Sequence, residues 1–243
     1  MVFDYYPITN VPISPSATLQ LKSLPDLPLC DLVSLSSGTS DETGHSLWRG
    51  SLIFHTWLSG RLDIFKGRRL LELGTGCGSS GLYLALSLSQ DPDCPTTHIA
   101  LTDGDVDTVA LASENLSLNS SLLHPSVHVS CSRLIWSLSP SSPPPQFSLV
   151  FASDVIYDTS ILPLLLSTAS ANLEVGGTFV LSHVPRASVE GGKGVVGTEE
   201  EIRELIEEEG MRNGLKVVES ALVEHDEEGT VYVFKKGGRK DGT

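Results

Sequence analysis

The stretch Arg68 to Leu82, RRLLELGTGCGSSGL, constrains the fold more than any other part of the chain. An apolar run, Leu70-Leu71-Glu72-Leu73, stops at Gly74-Thr75-Gly76-Cys77-Gly78. An alanine- and leucine-rich segment from Gly81 to Ser89 follows. A buried parallel strand, a tight turn and a helix start give this pattern. Glycines belong where the backbone takes positive φ or where a ligand touches bare main chain. The first turn of a helix leaves N–H groups unpaired and carries a positive dipole end, so this junction reads as a nucleotide-type pocket. Glu72 is an acid in an otherwise apolar strand, where a buried charge is costly unless something pairs with it. The glycine spacing is G-x-G-x-G with the next glycine at Gly81, so the dinucleotide-binding spacing is not cleanly met.

A chain of 243 residues fills one substantial α/β domain. The formal net charge of −14 argues against a nucleic-acid partner, which needs a basic face to neutralise phosphates. The four cysteines, Cys30, Cys77, Cys94 and Cys131, form no C-x-x-C pair, so neither a disulfide framework nor a zinc cluster is expected. His124 and His128 flank Pro125 at a loop-to-strand junction, a poor frame for a metal, and no metal is expected. The N-terminus lacks a leader pattern, and no apolar run reaches the roughly 20 residues of a membrane span. The expectation is a monomeric cytoplasmic protein, with the nucleus open.

Residues 1–43, rich in proline and serine, read as a partly ordered extension with one or two edge strands. The main domain spans 44–236, and 237–243 form a disordered basic tail. Leu52, Ile53, His55, Thr56 and Leu58 line up on a helix with one mostly apolar face; Trp48 before it is either a core aromatic or a lid on the pocket. His98 to Asp103 reads as a second buried strand. Asp103 is placed to accept both ribose hydroxyls of an adenosine, with Asp105 beside it as the competing helix cap. A helix over Val106–Leu118, a strand through Val127, Val129 and Cys131, and a proline/serine loop over Ser137–Gln146 come next. The fourth strand, from Phe147, ends at Asp154. A helix over Ile161–Leu173 is ended by Gly176-Gly177, and a fifth strand covers Thr178–Val184. Ser188–Gly197 reads as a mobile loop and Thr198 as the cap of an acidic helix. An antiparallel hairpin, Leu215–Val223 with Thr230–Phe234, closes the domain. In open α/β sheets ligands lie beyond the carboxyl ends of the strands, beside the switch in strand order. Asp154 and Tyr157 therefore fall next to the glycine turn.

E-L-G-T-G-C-G, T-D-G-D and S-D-V-I-Y together resemble the motifs of the class I, seven-strand S-adenosylmethionine-dependent methyltransferases. The D-x-x-Y signature and the tryptophan segment before the glycine turn resemble the protein-lysine methyltransferase branch. The resemblance implies a Rossmann-like doubly wound α/β sheet of seven strands, mostly parallel, with an antiparallel C-terminal hairpin and helices on both faces. It implies S-adenosylmethionine held by Trp48, Glu72, Gly74, Thr75, Gly76, Gly78, Asp103, Trp136 and Ser153. Trp136 follows Leu134-Ile135 where the family usually has an aspartate, which weakens the adenine contact. Asp154 and Tyr157 are the implied catalytic pair, and a lysine-bearing protein the implied substrate. N-P-P-Y or D-P-P-Y, usual in nucleic-acid amino-methylating enzymes, is missing. A class I enzyme acting on a small molecule or RNA, and a non-catalytic partner subunit, remain the alternatives.

Overall fold

The computed structural model describes residues 3–24, 42–139, 146–157, 159–185, 199–226 and 228–238. Near the N-terminus, Ala17, Leu19 and Leu21 alternate with polar residues and are buried. They belong to a two-stranded antiparallel sheet, β1 (Ile8–Ser14) and β2 (Ala17–Lys22). These strands do not extend an edge of the main sheet; among the described residues they pair only with each other.

After helix α1 (Arg49–Leu58), strands and helices alternate. The order is β3 (Arg69–Leu73), α2 (Ser79–Leu88), β4 (Thr97–Asp103), α3 (Val106–Asn119), β5 (Val127–Arg133), β6 (Phe147–Ser153), α4 (Leu162–Asn172), β7 (Leu173–His183), α5 (Glu199–Arg212), β8 (Leu215–Glu224) and β9 (Glu228–Lys236). Their seven-stranded sheet has the order β5-β4-β3-β6-β7-β9-β8. The first five of these strands are parallel, and β9 runs antiparallel to both β7 and β8. Successive side chains of a strand point to opposite faces. Leu70 and Leu149 accordingly meet the layer of α1 and α2, while Leu71 and Val150 meet α4 and α5.

One boundary differs from expectation: β7 starts at Leu173, directly after α4 ends at Asn172, so Gly176-Gly177 lie within the strand and not before it. Gly176 takes φ 78°, and the β6–β7 register shifts between Phe147 and Leu149, so the glycines mark an irregularity in a strand, not a helix stop. The expected Ser188–Gly197 loop and the Thr198 cap lie outside the described residues.

One packing contact matters most for the site. Phe54 of α1 stacks on Phe151 of β6 with ring centroids 5.3 Å apart and planes 2° from parallel. Such a pair adds about 0.5–1.5 kcal/mol beyond the area it buries. It also sets where the N-terminus of α1 falls along β6: Gly50, one turn before Phe54, reaches Asp154, three residues past Phe151.

Candidate active site at the glycine turn

β3 and β6 are paired neighbours, with Leu70 opposite Leu149, while the chain runs outward from β3 to β4 in one direction and from β6 to β7 in the other. This is the switch point at which open α/β sheets bind ligands. Gly74, Gly76 and Gly78 follow β3 with φ of 69°, 54° and 89°. L residues rarely hold that conformation. Gly78 then serves as the N-cap position of α2. The turn is pinned to the next strand, because Thr75 N donates to Thr102 O at 2.9 Å and Gly76 N to Asp103 Oδ2 at 3.2 Å.

Glu72 is fully buried beneath this turn, and Thr75 Oγ1 donates to its Oε2 at 2.6 Å. The Gly81 backbone N–H donates to it as well. A Cβ at Gly81 would stand 2.5 Å from that oxygen and 2.2 Å from Leu101 Cδ2, so the first turn of α2 requires glycine there. Glu72 thus braces the turn from below.

Burial raises the Glu72 carboxyl from its usual 4.5 to about 8, against the pull of the Thr75 and Gly81 bonds, and the Asp103 charge adds a smaller push. A carboxyl with a raised folded pKa binds more protons when native. Its contribution to stability is therefore complete below about pH 4.5 and is lost as pH rises toward about 8. Denaturant titrations across that window should show a wild-type slope approaching one proton, about 1.4 kcal/mol per pH unit, that Glu72→Gln lacks. Equal slopes would place the ionisation elsewhere.

Asp103 ends β4, mostly buried, and burial pushes its carboxyl upward while the N–H groups of Asp105, Gly76 and Gly104 draw it back. The helix-cap role belongs to Asp105, whose Oδ1 accepts from Thr108 N at 2.8 Å. Trp136 and Val155 cover the far side of Gly74: a Cβ there would meet Val155 Cγ1 at 2.7 Å and Trp136 Cζ2 at 3.1 Å. The Trp136 indole Nε1 is buried without a hydrogen-bond partner.

Among the described residues, Asp154, just past β6, is the non-glycine residue with positive φ, at 54°, and it is buried. Its N–H donates to Ser182 O at 2.9 Å. Its Oδ2 accepts from Gly50 N at 3.0 Å, so a carboxylate sits on the positive end of α1. Trp48 occupies the N-cap position of α1 and is half-buried, but its side chain makes no cap hydrogen bond. Ser153 shares a 2.6 Å hydrogen bond with Ser80 and a 3.4 Å contact with Ser51, tying β6 to α2 and α1. Tyr157, three residues further along the chain, is half-exposed.

The sequence-expected residues therefore fall into linked sets, Glu72 with Thr75, Gly76 with Asp103, and Gly74 with Trp136, while Ser153 and Asp154 are chain neighbours that bond separately to Ser80 and to Gly50. Sequence reasoning missed Gly50, Ser51, Ser80, Gly81 and Ser182, whose Oγ donates to Gly50 O at 2.9 Å. Gly50 and Gly81 left a trace, each as a glycine in the first turn of a helix. His128 stacks on His98 of the neighbouring strand with centroids 4.8 Å apart, and His124 bonds Ser126. Among the described residues no group of three or more histidine, cysteine, aspartate or glutamate side chains is placed to hold a metal. No described helix is long and apolar enough to cross a membrane.

Strand order, glycine turn and terminal hairpin define a Rossmann-like fold of the methyltransferase type. Among solved structures of this fold, a methyltransferase from Pyrococcus furiosus superposes with a TM-score of 0.54 at 18% identity, over 77% of this chain and 83% of that one. A magnesium protoporphyrin IX methyltransferase from Synechocystis PCC 6803, with bound SAH, gives 0.53 at 14% identity over 81% and 85%. A family model described as lysine methyltransferase matches residues 31–191, and the chain belongs to that family. A protein-lysine N-methyltransferase EFM3 of Chaetomium thermophilum is 30% identical over 151 residues, which is 59% of this chain and 42% of that protein. The match thus spans under half of that relative's own length.

Proposed function

We propose that the chain transfers a methyl group from S-adenosylmethionine to the side-chain nitrogen of a lysine in a protein substrate. The observation that carries the reading is Asp154: a carboxylate held in a left-handed backbone conformation, anchored on a helix N-terminus, one strand away from the glycine turn. Strained residues of this kind persist where the surroundings enforce them, and they cluster at active sites. Family membership and the related protein-lysine N-methyltransferase support the acceptor class. The net charge of −14 disfavours RNA.

The residues present fit the cofactor. The positive φ of Gly74, Gly76 and Gly78 shapes the turn, with the protein's own atoms filling the space a side chain would take at each. Asp103 offers an acid for ribose hydroxyls, and the buried Trp136 N–H awaits an acceptor. S-adenosylmethionine, when bound, supplies a sulfonium-linked methyl carbon open to attack by a neutral amine.

The protein's task is to orient that amine and keep it neutral. Orientation alone supplies much of the acceleration in such displacements. A free lysine has a pKa near 10.4, and desolvation in a narrow channel lowers it. Asp154 accepts a hydrogen bond from the incoming amine and fixes its lone pair, Tyr157 forms the channel wall, and water carries the proton away.

Incubating whole-protein extract with the chain and methyl-labelled cofactor should label one protein band, with the label on lysine by mass spectrometry. Label in RNA or small molecules, or none, would defeat the reading.

A further inference from the structure

We propose that Asn115 is a positioning residue for the cofactor, holding the glycine turn and the N-terminal hairpin through a single side-chain amide. The inference rests on the reading above that the cofactor lies on this turn.

Asn115 lies in the middle of α3, with no solvent exposure. Asparagine is a poor residue for a helix interior, and a buried amide is costly unless satisfied. Here every polar atom is used. Oδ1 accepts from Lys22 N at 2.8 Å, and Nδ2 donates to Lys22 O at 2.9 Å and to Cys77 O at 2.8 Å. Cys77 is the residue between Gly76 and Gly78.

One turn later Asn119 repeats the first half of this pattern on Gln20. Its Oδ1 accepts from Gln20 N at 2.9 Å and its Nδ2 donates to Gln20 O at 2.7 Å. Its second donation returns to Asn115 O, within its own helix, and does not reach the turn. The geometry has a simple origin. Residues four apart on a helix rise ~6 Å, and residues two apart on a strand are separated by ~6.7 Å. Two amides on α3 therefore match the outer edge of β2 as a neighbouring strand would.

Other contacts tighten the same junction. Leu24 N donates to His45 O at 2.8 Å, and Tyr6 Oη and His45 Nδ1 share a hydrogen bond of the same length. Cys77 packs with Phe3, Tyr6 and Leu111, and Gly44 O would stand 3.1 Å from a Cβ at Gly76. The hairpin, which precedes the family-matched residues 31–191, is thereby built into the back of the turn.

The difference between the two asparagines supplies the test. Both dock the hairpin, so Asn115→Ala and Asn119→Ala should destabilise the chain comparably. Only Asn115 touches the turn. By calorimetry on the full chain, Asn115→Ala should weaken S-adenosylmethionine binding by roughly tenfold, the equivalent of one well-made hydrogen bond, while Asn119→Ala stays within about twofold of wild type. Equal affinities for both variants, or equal losses, would overturn the assignment. A wild-type chain that does not bind S-adenosylmethionine would overturn the cofactor reading itself.

Should Asn115→Ala fail to fold, hydrogen exchange on the wild-type chain decides the matter. Coupling between two sites is reciprocal. Saturating cofactor should then slow exchange in a peptide covering 17–24 more than in the β8–β9 pair, and a uniform change would overturn the proposal.

Discussion

Exchanging Asp154 for asparagine leaves the fold and the cofactor affinity near wild type and lowers methyl transfer by roughly 10²-fold, the scale on which losing the orientation of a reacting group acts. The choice of substitute follows from what Asp154 does besides chemistry. Its Oδ2 caps α1 through Gly50 N, so alanine would remove a helix cap at a cost of about 1 kcal/mol and confuse the outcome. Asparagine keeps an acceptor oxygen for Gly50 and tolerates the left-handed region. Glycine provides the complementary test. It relieves the strain at φ 54°, worth about 1–2 kcal/mol, and gives up the cap, so its net stability stays near wild type. Both variants are read on the protein band that the wild type labels, with thermal unfolding and cofactor calorimetry alongside. Activity surviving in either would reduce Asp154 to a helix cap.

The sheet and the turn were legible in the sequence because each rests on a short-range signal. Leu70 to Leu73 is a buried run, Gly74 to Gly78 is punctuation, and Val106 to Asn119 keeps a helical period. Contacts between distant residues left no such trace. Gly50 meets Asp154 across 104 positions, and Asn115 meets Lys22 across 93. Each link depends on where a helix lands on a sheet, which the Phe54–Phe151 stack decides for α1 and no local pattern reports. Gly176-Gly177 shows the opposite failure. A strong local signal for a chain break was overridden because β7 pairs with β6 on both sides of the glycines, at Leu173 and again from Thr178, and the strand continues past the irregularity they form. Glu72 and Asp103 were found as acids at strand ends, but their neighbours required coordinates. Glu72 turns inward to brace the loop, and Asp105 takes the cap, leaving Asp103 facing the turn.

Gly50→Ala should be the more damaging change for stability, against its local propensity. Alanine in an exposed first turn would favour the helix by about 1 kcal/mol over glycine. Here its Cβ would stand 2.3 Å from Asp154 Cβ and 2.5 Å from Asp154 Cγ. No rotation of the Asp154 side chain moves its own Cβ, so the N-terminus of α1 must lift away from β6. Overpacking of this kind costs about 1–3 kcal/mol, or a fall of several degrees in the unfolding midpoint for a chain of this size. Transfer should fall with it to the level of Asp154→Asn, because the carboxylate loses the N–H that aims it. The double variant Gly50→Ala with Asp154→Gly separates the two consequences. Deleting the Asp154 side chain removes both clashing atoms, so the pair should be more stable than Gly50→Ala alone, a non-additivity expected only of residues in contact. Its activity should stay lost. Additive destabilisation would mean that α1 and β6 do not meet at Gly50 and Asp154, and the assignment of Asp154 to the reaction would lose its structural support.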